Sequence, residues 1–86
     1  MCDPFEVTFT GPADALIIKA RKEIEAQDGT LTGDAVAGDL KISLPIVGMI
    51  EGNYKVVGQV ITMTITQKPQ FVPCGMIESK IREALS

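Results

Sequence analysis

The stretch Met49-Ile50-Glu51-Gly52-Asn53-Tyr54-Lys55-Val56-Val57-Gly58-Gln59-Val60-Ile61-Thr62-Met63-Thr64-Ile65-Thr66-Gln67-Lys68 decides the fold of this chain. Its apolar residues recur at every second position on both sides of Gly58-Gln59. A period of two belongs to a strand with one buried face. The stretch therefore reads as two strands, Met49 to Val57 and Val60 to Lys68. Ile50, Gly52, Tyr54 and Val56 face inward on the first, and Ile61, Met63 and Ile65 on the second. Thr62, Thr64 and Thr66 form an outward row, as β-branched hydroxyl residues do on a wetted sheet face. Gly58-Gln59 has the composition of a two-residue hairpin turn with glycine in its first central position.

The same alternation continues upstream. Leu40, Ile42 and Leu44 make an inward row over Asp39 to Leu44, with Lys41 and Ser43 outward. Thr30 to Ala37 reads as a weaker strand with Leu31, Gly33, Ala35 and Ala37 inward. Small residues there imply that something packs close to the sheet or that the strand bends. Gly38-Asp39 is the expected turn, and Pro45 stops the strand before it or leaves it at an edge. From Pro12 to Gln27 the period changes to that of a helix, with Ala13, Leu16, Ile17, Ala20 and Ile24 on one face. Pro12 suits the first helical position, Asp14 the positive end of the dipole, and Asp28-Gly29 the left-handed stop. Phe5, Val7 and Phe9 alternate again over Phe5 to Thr10. Downstream, Lys68-Pro69 closes the sheet and Phe71-Val72-Pro73 leads into a second helix running to the C-terminus. Met76, Ile77, Ile81, Ala84 and Leu85 form its buried stripe, and Glu78 and Arg82 are spaced for a helical ion pair.

The order is β-α-β-β-β-β-α: a single α+β domain spanning residues 1–86, with a curved antiparallel sheet and both helices packed on one face. Eighty-six residues with 45% hydrophobic content make one core and no more. The net charge of −3 and the absence of a Lys/Arg run exclude the basic footprint that nucleic-acid binding needs. No apolar run is long enough for a transmembrane helix. Met1-Cys2-Asp3-Pro4 does not read as a signal peptide. Two cysteines are too few for a disulfide scaffold, so the expectation is a cytoplasmic protein with reduced thiols.

Candidate sites are few. Cys74 follows Pro73 at a helix start, where N–H groups and the dipole stabilise a thiolate, so it is the candidate reactive thiol, although the plainer reading is a small apolar residue tucked under the helix. The chain has no His to act as its base. Leu44-Pro45-Ile46-Val47-Gly48-Met49-Ile50 is the most apolar segment, and Ile46, Val47 and Met49 are candidates for an interaction surface or cavity rim. Tyr54 joins them on the inner face, where its hydroxyl needs a partner: it reaches solvent at the rim, or marks the polar end of a cavity. Asp28, Asp34 and Asp39 are too sparse for a calcium loop and read as turn formers. No cofactor or metal ligand set is apparent.

The β-α-β(4)-α order resembles the minimal helix-grip fold shared by the TATA-binding-protein-like and Bet v 1-like groups. That resemblance implies a long C-terminal helix lying across a curved sheet, with room for a ligand between them. The stretch Gly48 to Val56, Lys68-Pro69 and the terminal amphipathic helix are similar in layout to the small polyhydroxyalkanoic-acid-system proteins. Those are short bacterial proteins associated by context with storage granules. The His-rich start and arginine content of those proteins are not found in this sequence.

Without paired acid and base groups, the reading is non-enzymatic. The first expectation is a protein-interaction or self-associating module that buries apolar surface or pairs strands at a sheet edge. The alternative is a carrier of a small apolar ligand held between the sheet and the C-terminal helix.

Overall fold

A computed structural model describes residues 2–44 and 48–85. The elements run β1 (Phe5–Thr8), α1 (Ala13–Ala26), β2 (Gly29–Gly33), β3 (Ala37–Leu44), β4 (Gly48–Val57), β5 (Val60–Gln67) and α2 (Cys74–Leu85). The five strands form one open, curved sheet in the order β1-β5-β4-β3-β2, with every neighbouring pair antiparallel. Helix α1 carries the chain from the β1 edge to the β2 edge. The meander then returns and closes β5 against β1. The Cα radius of gyration, 12.0 Å, is what about 86 residues occupy when folded as one unit.

Alternation sets the sheet. Val57 pairs with Val60 across Gly58-Gln59, and Gly58 has φ +60°. A positive φ at the first central residue alone is the geometry for which the turn needs glycine there. Gln59 also donates from its side chain to the carbonyls of Phe9 (2.8 Å) and Gly11 (3.1 Å), so this turn fastens the β1–α1 connection. The inward rows of β3, β4 and β5 meet both helices in one core. Leu40, Tyr54, Ile61, Met63 and Ile65 are its most deeply buried large side chains. Leu16, Ile17, Ala20 and Ile24 of α1, and Ile77, Ile81, Ala84 and Leu85 of α2, cover them.

Four details depart from the sequence reading. First, β1 ends at Thr8, although Phe9 is still buried. Second, the β2–β3 turn falls at residues 34–36 and not at Gly38-Asp39. Asp34 decides this: its carboxylate accepts from the N–H groups of Val36 (2.9 Å) and Ala37 (3.1 Å), while its own N–H donates to the Ala37 carbonyl. Such local side-chain bonding outcompetes a strand ladder. Third, α1 ends at Ala26 and the left-handed residue that follows it is Asp28 (φ +59°), not glycine, because Gly29 already belongs to β2. Glycine is needed at 29 for proximity, because a Cβ there would lie 2.7 Å from the Ile24 Cγ2. Fourth, Met76 is 56% exposed, so the buried stripe of α2 begins at Ile77. The Glu78–Arg82 pair is present at 2.9 Å, and the Arg82 guanidinium lies 5.5 Å from the Phe5 ring centroid.

Cys2 and Cys74 are joined in a disulfide, with Cα atoms 5.5 Å apart. This corrects the expectation of two reduced thiols. Seventy-two residues separate them, so no local spacing announces the pair. The closing of β1 onto β5 brings the chain start beside the start of α2. In the chain-entropy account, closing so long a loop stabilises the fold by about 4 kcal/mol.

Candidate functional site

Two ends of the sheet differ in how the helices close over it. At the end near the β2–β3 turn, the core is capped by a buried, hydrogen-bonded ring, and only a shallow polar hollow lies outside it. Tyr54 of β4 is 1% exposed, and its hydroxyl donates to the Asp34 carbonyl at 2.7 Å. Gly38, opposite Tyr54 in the β3–β4 ladder, makes room for the ring: a Cβ there would lie 2.6 Å from the Tyr54 Cε1 and hydroxyl. This answers what the small residues of that hairpin accommodate. Arg21 of α1 donates to the Leu31 (3.2 Å) and Gly33 (3.3 Å) carbonyls of edge strand β2. Burial, then the nearby Asp34 charge, pushes the Tyr54 phenol above its usual range. The backbone N–H groups of Val36 and Ala37 hold the Asp34 carboxyl below its own.

At the other end the cover is incomplete. A cleft of about 390 Å3 opens between the sheet and the first turns of α2. Its floor is Ile42 and Leu44 of β3 and Ile50 of β4. Ile77 and Ile81 form the α2 wall, and Phe71, Val72, Pro73 and Met76 form the lip. Phe71 is 69% exposed and Met76 56%. Gln27 at the end of α1 and Lys80 on α2 are the polar residues of the lining. Such a volume, mostly apolar with a few polar groups at one side, lies within the range of small-molecule sites, roughly 300–1,000 Å3.

The sequence candidates fall on different parts of the molecule. Tyr54 is not at a cavity rim; it is a buried clasp whose hydroxyl has found a backbone partner. Met49 is exposed and pairs with Ser43 on the face opposite Ile50, so it does not line the cleft. Ile46 and Val47 lie outside the described residues. Cys74 is no free thiol: it is bonded to Cys2. What the sequence reading missed is the lip. Phe71 and Met76 were assigned to a connection and to the core. Their signal was an apolar run, Phe71-Val72-Pro73-Cys74, continuing into a helix whose stripe is one residue too wide. Among the described residues no three His, Cys, Asp or Glu side chains gather as a metal site would require. No helix among the described residues is long and apolar enough to cross a membrane.

No protein-family model, curated protein or solved structure matches this chain.

Proposed function

We propose that this domain is a non-enzymatic binder of a small apolar or amphipathic molecule, held between the sheet and α2. The observation that carries the reading is the apolar cleft of about 390 Å3 with its exposed Phe71 and Met76. Apolar side chains this exposed beside an apolar cleft gain free energy when a ligand covers them. The polar end of an amphipathic ligand would face Gln27 and Lys80. The topological resemblance to helix-grip proteins agrees with a ligand in this position. In this reading the domain is a bacterial carrier.

A titration with the neutral apolar fluorophore N-phenyl-1-naphthylamine tests the reading. Saturable binding at one site is expected, weakened about tenfold by Met76→Ser, which corresponds to ~1.4 kcal/mol of lost contact. Binding that ignores this substitution would place the ligand elsewhere. A second reading, a protein-interaction or self-associating module, draws on the same Phe71 and Met76 as anchors. Concentration-dependent dimerisation abolished by Phe71→Ser, with no uptake of the fluorophore, would favour it.

A further inference from the structure

We propose that the Cys2–Cys74 disulfide is a redox latch on the cleft, an inference that rests on the binding reading above. Cys74 is the first residue of α2, directly after the lip residues Phe71, Val72 and Pro73 and two before Met76. Hydrogen bonds of the lip segment are local: Val72 N–H donates to the Pro69 carbonyl (3.2 Å), and Met76 N–H to the Pro73 carbonyl (3.2 Å). Val72 is buried in the core, and the disulfide is the covalent tie that joins the end of this segment to the chain start. The other anchors of α2, from Ile77 to Leu85, lie further along the helix. Cutting the bond therefore frees the lip and leaves the sheet and the rest of α2 packed. The cleft keeps its walls and loses its lip, and its ligand loses the contacts with Phe71 and Met76.

The two sulfurs are unequally placed. Cys2 is buried in the core, while Cys74 is exposed. An incoming thiolate therefore reaches the Cys74 Sγ, forms a mixed disulfide there and expels the Cys2 thiolate, which takes up a proton. A second thiol of the reductant attacks the mixed disulfide at the reductant's sulfur and releases Cys74 as its thiolate. The sum is one protein disulfide and one dithiol giving two protein thiols and one oxidised dithiol. The start of α2 favours the Cys74 thiolate so produced. A glutathione-buffered cytosol favours the dithiol form and an oxidising compartment the disulfide. The latch thus reports on the compartment, with the closed, binding-competent state on the oxidising side.

The test uses the full chain, N-phenyl-1-naphthylamine as the probe and dithiothreitol as the reductant, with backbone hydrogen exchange followed in both states. The reduced chain should bind about tenfold more weakly. Protection should fall in the first turn of α2 and stay in β4 and β5, and reoxidation should restore both. The Cys2→Ser/Cys74→Ser chain, which needs no reductant, should match the reduced protein, and a mismatch refutes the latch. Equal affinity in the two states, with Met76→Ser still weakening binding, removes the latch and keeps the site. No binding in either state removes both. Loss of protection throughout the reduced chain would make the bond a staple of the whole fold and overturn the proposal.

Discussion

The two ends of this sheet show two ways of closing a small core. Near the β2–β3 turn, polar groups close it: the Tyr54 hydroxyl on the Asp34 carbonyl, Arg21 on the edge of β2, and a ring laid over Gly38. Under the start of α2, apolar surfaces approach without filling the space between them, and a covalent bond keeps the lip in place. Directional bonds fix one geometry, and the hollow beside Tyr54 is open and polar-lined, not an apolar cleft. Apolar contact is non-directional and tolerates looser packing, as at the cleft under α2. The contrast teaches that the stable end and the candidate functional end are built from different interactions.

The comparison breaks most sharply at Tyr54. Tyr54→Ala should cost about 3–5 kcal/mol, because it empties a fully buried ring site and strips the Asp34 carbonyl of its donor. Urea denaturation measures this, and a loss below about 1 kcal/mol would mean the closed end is not closed. Gly38→Ala tests the same end from the partner strand. Its Cβ meets Tyr54 and the backbone of β2, so a loss of about 1–3 kcal/mol is expected.

Tyr54→Phe keeps the ring and removes the hydroxyl, for about 1 kcal/mol. It also sharpens the pH dependence. The folded phenol titrates above its unfolded value of about 10, so the contribution of Tyr54 is fully present below that value. It is lost as pH rises through the folded value, and Tyr54→Phe should remove that part of the alkaline decline. Identical alkaline limbs in the two chains would contradict the assignment. Asp34 has the opposite sign: its contribution holds above about pH 4 and is lost as pH falls through its lowered folded value.

The smallest effect belongs to the cleft. Met76→Ser should change stability by no more than about 0.5 kcal/mol, since the side chain is exposed, while weakening probe binding. A large loss of stability would show that the lip is core.

Much of the fold was legible because its signals are local. The alternation from Met49 to Lys68 has one interpretation, and the registers Tyr54↔Met63 and Val57↔Val60 follow from the turn at Gly58. The β2–β3 turn was misplaced because Gly38-Asp39 has turn composition too. Only the competition for the backbone N–H groups of Val36 and Ala37 shows that Asp34 wins. The candidate site was much less legible. Met76 and Ile77 are both apolar and adjacent on a helix, and which of them is buried depends on how α2 is rotated over the sheet. Tyr54 showed itself as an inward residue needing a partner, but the partner is a carbonyl 20 positions away.

By itself the sequence determined the element order, the inner and outer faces of the central strands and, Met76 apart, the stripes of both helices. These follow from periodicities of two and 3.6 residues, which side-chain direction imposes on any chain. Only the tertiary structure decided that Cys2 meets Cys74, that Tyr54 lies over Gly38, and that the start of α2 stands away from Ile42 and Ile50. Each depends on residues far apart in the chain coming together once the sheet has closed β5 against β1, and no local pattern encodes a distance of that kind.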